Sequence, residues 1–195
     1  MDYRIRFPFQ KSQSGEQHTG KEGNNLARYK IYNGPSPTTA SQVAVTTGTA
    51  IKTLLQVQVS ATLGAHVVEW GISFDGAAVA AGIECELLEQ DVAATVTAHV
   101  TAGIHRLDEA AVQGGDPVTN LILVGTAATG YTSTNENSPT VSRMFDAQLI
   151  DPAANYVLQF PLGERPYIKP GTFFLKVRVK AAAAVNAICY AVIEV

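Results

Sequence analysis

Phe173-Phe174-Leu175-Lys176-Val177-Arg178-Val179-Lys180, followed by Ala187-Ile188-Cys189-Tyr190-Ala191-Val192-Ile193-Glu194-Val195, decides the fold of this chain. In the first stretch the odd positions are apolar and the even ones mostly cationic, which is the period-2 signature of a half-buried strand. The second is apolar on nearly both faces, so it reads as a strand inside a sheet, and the C-terminus with it. Two long strands joined by a turn point to an all-β sandwich.

Working back from this pair, the same signature recurs. Arg28–Tyr32 alternates and is stopped by Asn33-Gly34-Pro35. Val43–Thr47 reads as a short strand. Leu55, Val57, Val59, Ala61 and Leu63 point one way, and Gln56, Gln58, Ser60 and Thr62 the other, until Gly64 ends the strand. Val68, Trp70, Ile72 and Phe74 form the apolar face of the next, closed by the turn Asp75-Gly76. Further strands are expected at Ile83–Leu88, Val92–Val100, Leu121–Val124, Met144–Ile150 and Tyr156–Leu162. These make eight to ten strands, with polar loops over Thr101–Thr119 and Gly125–Ser142 and one helical turn around Asp108–Gln113. No internal repeat is present, which excludes propellers and solenoids. The expected architecture is a jelly-roll-like β-sandwich over residues 28–195 behind an extended arm, residues 1–27.

The arm has its own pattern. Tyr3-Arg4-Ile5-Arg6-Phe7-Pro8-Phe9 alternates apolar and basic residues before and after a proline, and a polar, Gly-bearing stretch without periodicity follows. An extended segment of this kind can add to another protein's sheet edge.

Of 195 residues, 46% are hydrophobic and only 16% charged, against about a quarter charged in ordinary globular chains. A surface so short of charge is expected of a chain that assembles into an oligomer or particle, the alternative being a monomer covered by Thr and Ser. Net charge is −3; residues 1–30 hold six cations against three anions, leaving −6 for the remainder. A basic arm on an acidic body suits docking on an acidic neighbour, and it is too dilute for nucleic acid. Cys85 and Cys189 fall inside expected strands and read as small buried hydrophobes, consistent with a reducing cytoplasm. The N-terminus lacks the apolar core and cleavage site of a signal peptide, and no apolar run nears membrane-spanning length.

Constellations that carry chemistry are sparse, and no catalytic, cofactor or metal site is expected. His99 and His105 with Asp108 and Glu109 match no ligand spacing and read as solvated loop residues; His18 and His66 stand apart. Cys85 lies between Glu84 and Glu86, whose charges oppose a thiolate. Gly125-Thr126-Ala127-Ala128-Thr129-Gly130 lacks the Lys-Ser/Thr of a nucleotide loop. Glu84, Glu86, Glu89 and Asp91 are the densest acidic group, read first as solvated or partner-facing, then as metal-binding or catalytic. Trp70 is in register with core residues. Arg165 is expected to pair with Glu164 or a neighbouring subunit.

Two stretches are familiar. Val67-Val68-Glu69-Trp70-Gly71-Ile72-Ser73-Phe74-Asp75-Gly76 and Phe160-Pro161-Leu162-Gly163-Glu164-Arg165-Pro166, with Val177-Arg178-Val179 and Ala184-Val185-Asn186-Ala187, resemble structural proteins of tailed bacteriophages. Tyr32-Asn33-Gly34 and Thr46-Thr47-Gly48-Thr49-Ala50-Ile51-Lys52-Thr53 fit the same pattern. The chain is similar in these residues to the head decoration, or cement, family. The resemblance covers most of residues 28–195 and leaves out residues 1–27. It implies a jelly-roll homotrimer made in the bacterial host cytoplasm and fastened to the outer capsid surface of the virion, between major capsid protein subunits. On that reading Tyr3, Ile5, Phe7 and Phe9 anchor the arm to the shell and Arg4 and Arg6 pair with acidic capsid groups. Ile188, Tyr190, Val192 and Val195 supply oligomer contacts. No cofactor, nucleic acid or membrane is implied. The alternatives are a receptor- or carbohydrate-binding module of a tail or fibre, and an enzyme such as a depolymerase or cupin.

Overall fold

The computed structural model describes residues 27–77, 81–107 and 121–195. Their strands are β1 (Arg28–Tyr32), β2 (Val45–Thr46), β3 (Lys52–Val57), β4 (Ala65–Phe74), β5 (Ile83–Gln90), β6 (Thr95–Ala98) and β7 (Ile104–Arg106), continuing with β8 (Gly130–Asn135), β9 (Ser142–Ile150), β10 (Asn155–Gln159), β11 (Tyr167–Ile168), β12 (Phe174–Lys180) and β13 (Asn186–Glu194). Ten of them have four or more residues. They form two antiparallel sheets, one in the order β10-β4-β13-β1-β7 and the other β6-β8-β3-β12-β5-β9. The described strands change sheet at β2–β3, β3–β4, β4–β5, β6–β7, β7–β8, β9–β10, β11–β12 and β12–β13, the crossing habit of a jelly-roll-like sandwich.

The C-terminal strand lies in the middle of the first sheet, between β4 and β1. On its inner face Ala187, Cys189 and Ala191 stand opposite Phe74, Ile72 and Trp70 of β4. Small side chains on one strand make room for large ones on its neighbour, which is how a core reaches native density. Leu175, Val177 and Val179 of β12 close the layer from the other sheet with Leu55, Val57, Cys85 and Leu87, all at most 1% exposed. Trp70 is fully buried, as its register requires, and both cysteines are free and buried.

Several expectations need correction. The middle of the even face of β12 is not in water: Lys176 is 0% exposed, and Gln56, Leu88 and Gln90 on the same face are covered too, while Arg178 is half-buried and Lys180 exposed. Residues 93–94 and 127–128 fold over it, for Gln56 Oε1 accepts from the Ala94 amide at 2.8 Å and its Nε2 donates to the Ala127 carbonyl at 2.6 Å. Period-2 reading assumes one wet face, and here that face is dry around Lys176 and wet only toward Lys180. The strand read over Leu55–Leu63 stops at Val57. Ser60 Oγ accepts from the amides of Leu63 and Thr62 and turns the chain, so Ala61 and Leu63 are exposed. Val59 keeps one bridge to Ile122, which is all that remains of the strand expected at Leu121–Val124.

Val92–Val100 and Val43–Thr47 shorten to β6 and β2. Tyr156–Leu162 stops before Pro161, where Glu164 N bonds the Pro161 carbonyl at 3.0 Å and Gly163, at φ +94°, supplies the left-handed corner. Asp75-Gly76 ends β4 without a hairpin, since β5 lies in the other sheet. The polar stretch Gly125–Ser142 holds a strand, β8, paired with β3 and β6. The helical turn expected at Asp108–Gln113 lies outside the described residues, as does the arm except Ala27.

Candidate functional site

Ile188, Tyr190 and Val192 point outward from the central strand, and the sheet has already covered much of them. Val192 is 5% exposed, while Ile188 and Tyr190 are half-buried. The Tyr190 hydroxyl donates to Glu69 Oε1 at 2.6 Å, and Lys30 Nζ sits 3.7 Å from the ring centroid, with the Tyr32 ring 5.7 Å away. Burial, that hydrogen bond and the Glu69 charge push the Tyr190 phenol above its ordinary value. Gly71 lies under the ring, where a Cβ would come within 2.7 Å of it. Val195 is half-buried and exchanges two backbone hydrogen bonds with Ala27, at 3.1 and 2.9 Å. Because β4 and β1 flank β13, this strand has no edge to offer a neighbour; what it leaves on the surface is Ile188 and part of the Tyr190 ring.

Charged groups are paired inside the chain. Glu194 takes Arg28 at 2.7 Å and Arg165 at 3.0 Å, so Arg165 meets neither Glu164 nor, through that contact, another subunit. Burial pushes the Glu194 carboxyl up, and the two guanidiniums outweigh it, leaving it below the ordinary carboxylate value. Of the acidic group, Glu84 faces Lys180 at 3.8 Å and Glu86 holds Arg178 at 2.7 Å across β5 and β12. Glu89 is not solvated: it is 2% exposed, pairs with Arg143 at 2.7 Å and accepts the Lys169 amide at 2.8 Å. Asp91 accepts the amides of Thr140 and Val141, both at 3.0 Å.

The histidines also divide. His105 accepts or donates to Ser36 Oγ at 2.5 Å on the surface. Among the described residues no carboxylate bonds its other nitrogen, so the pair lacks the orienting third group of a nucleophilic site. His99 is 1% exposed and not a solvated loop residue. Its Nε2 donates to the Tyr32 carbonyl at 2.6 Å, its ring packs on Tyr131, and Nδ1 has no partner among the described residues. Burial pushes this imidazole below its ordinary value. Among the described residues no three His, Cys, Asp or Glu side chains are placed to hold a metal. No helix there is long and apolar enough to cross a membrane.

The longest exposed edge among the described strands is elsewhere. Among the described residues strand β9 pairs with β5 on one side only, and its nine residues form the flank of the second sheet. Other edge strands are short: β6 has four residues, β7 three and β10 five. Val141, Met144 and Leu149 along this flank are 52%, 46% and 71% exposed. Neither Pro nor Gly interrupts the strand; what breaks its edge is a single irregularity at Phe145, opposite Leu87 and Leu88, together with the charges of Arg143 and the inward-facing Asp146. Beside it, between the two sheets, sits Asp146. Its Oδ2 accepts from Trp70 Nε1 at 3.1 Å and Tyr156 Oη at 2.9 Å, and its Oδ1 from Gln148 Nε2 at 2.8 Å. One half-buried carboxylate thus ties β9 to β4 and β10 at the mouth of the sandwich.

Sequence reasoning placed β9 but missed its position at the flank, because strand order is set by long-range pairing. Asp146, flanked by Phe145 and Ala147, carried a weak signal: a lone acid inside an apolar strand needs a buried donor or a partner. No protein family, curated protein or solved structure matches the chain.

Proposed function

We propose that the chain is a virion structural protein, a decoration protein that binds the outside of a tailed-phage head and stabilises the shell by bridging major capsid protein subunits. The observation that carries it is the β9 flank, a long unpaired edge bearing Val141, Met144 and Leu149 on a protein poorer in charge than a free monomer needs. Such a surface gains when an assembly covers it, by about 25 cal/mol per Å² of apolar area. The chemistry is mass action: a protein that binds the expanded shell and not its dissociated subunits stabilises that shell. The N-terminal arm, with Tyr3, Ile5, Phe7 and Phe9 alternating with Arg4 and Arg6, adds a tethered contact, to the shell or to a neighbouring copy seated on it, that raises avidity through effective concentration.

The test is co-sedimentation of the purified chain with expanded phage capsids, with the melting temperature of the shell as second readout. Saturation at a fixed stoichiometry together with a raised shell melting temperature is expected. A chain that leaves capsids untouched and binds cells or glycans instead overturns the proposal in favour of a tail recognition module.

A further inference from the structure

We propose that β9 accepts the segment Tyr3–Phe7 of a second copy of this chain as an added strand, linking copies head to tail into a closed ring. The inference goes beyond the shell-binding reading and gives the arm an acceptor different from the capsid subunit.

The two partners match face by face. On β9, Ala147 and Leu149 point to the outer face of the sheet, opposite Glu86 and Glu84, and Met144 joins them beyond the irregularity. The alternate residues Asp146 and Gln148 turn toward the mouth between the sheets, where Asp146 lies half-buried. On the arm Tyr3, Ile5 and Phe7 share one face, and Arg4 and Arg6 the other. Laid along β9, the apolar face covers Met144, Ala147 and Leu149, and the basic face brings its guanidiniums to the Asp146 carboxylate. Pro8 has no amide hydrogen to give, so the added ladder ends at Phe7.

The placement of the exit decides between copies. The described chain starts at Ala27, bonded to Val195 at the end of β1, and β1 lies next to β7. The receiving edge β9 runs straight into β10, at the other flank of the first sheet. Arm and acceptor therefore belong to opposite sides of the body. A contact between unlike, opposite surfaces is heterologous; repeated, it gives a ring where the rotation closes and an open filament where it does not, and a discrete mass in solution is the sign of closure. Residues 8–26 intervene, and 19 residues reach at most about 65 Å, enough for a neighbouring body.

The test uses the full chain throughout. Sedimentation equilibrium is expected to give a discrete multiple of 20.7 kDa for the natural sequence. Two variants should each run at the mass of one chain: Ile5→Glu with Phe7→Glu on the arm, and Met144→Lys with Leu149→Lys on the edge. The edge positions are exposed, and an unchanged circular-dichroism melt confirms that the body still folds. A second measurement does not depend on those variants. A chain carrying Ile5→Cys is mixed with one carrying Ala147→Cys or Leu149→Cys and oxidised mildly; a disulfide-linked pair of unlike chains is expected, and none when Val157→Cys on β10 replaces the edge cysteine. A natural chain that stays monomeric, a multimer indifferent to both variants, or a crosslink confined to one chain carrying both cysteines overturns the inference. A monomer that still saturates capsids overturns this inference alone and leaves the decoration reading standing.

Discussion

Lys176→Met isolates the energetic consequence of the covered face of β12. The ammonium is 0% exposed, and Nζ has one hydrogen bond, to Gln90 Oε1 at 3.0 Å. Burial lowers its pKa from 10.5 to about 8; attraction from Glu136 and Asp91 recovers part of the loss and Arg178 adds to it. Between those two values the unfolded chain holds a proton that the folded chain has released, so stability rises with pH across the window. At about 1.36 kcal/mol per pKa unit, the gain from pH 7 to pH 10 comes to about 2.5 kcal/mol. Methionine has nearly the same length and does not titrate. Urea unfolding of both proteins at pH 7, 8, 9 and 10 should show the natural chain gaining about 2.5 kcal/mol on the Met variant across the series. Tyr156 and Tyr190, whose phenols are both pushed up, weaken the fold above pH 10 in both proteins and cancel in the difference. Two parallel stability curves would refute the argument, since they would mean that Lys176 titrates as it does in the unfolded chain.

Other changes bear on separate parts of the structure. Asp146→Ala leaves the Trp70 and Tyr156 donors without their acceptor and should cost about 2–3 kcal/mol in urea unfolding, with a change in tryptophan emission; a loss under about 0.5 kcal/mol would show that the carboxylate does not tie the sheets together. Gly71→Ala drives a methyl into the Tyr190 ring and should cost about 1–3 kcal/mol, whereas the same change combined with Tyr190→Ala should recover most of it. Cys85, pushed up to about 12 by burial and the Glu86 charge, and Cys189, raised by burial and by Cys85, should resist a thiol reagent in native protein. Both should react fully in denaturant; fast native labelling of either would contradict its burial.

The strands that sequence made legible are those with one pattern from end to end. β1, β4, β5, β9, β12 and β13 all announce themselves by alternation or by an unbroken apolar run. β8 did not, because Gly130-Tyr131-Thr132-Ser133-Thr134-Asn135 is polar and pairs inside a sheet whose outer face is itself covered. Lys176 and Glu89 misled for the same reason: a charged residue signals water only when nothing folds over it. Arg165 could not be matched to Glu194, since the two lie 29 positions apart in sequence and leave no local signal. The arm pattern was readable at once, whereas the place of β9 at a flank became visible only with the strand order.

The position of β13 has a consequence for how the molecule comes into being. Its partners are β4, more than a hundred residues earlier, and β1, at the opposite end of the body. Until the chain has been synthesised through Glu194, the first sheet is split, with β4 and β1 each presenting an open, apolar edge. Folding of the body therefore waits for its last strand, and the contacts that complete it are among the longest in the sequence. Such high contact order predicts slow folding, and in that interval a truncated chain is an aggregation hazard and not a smaller domain.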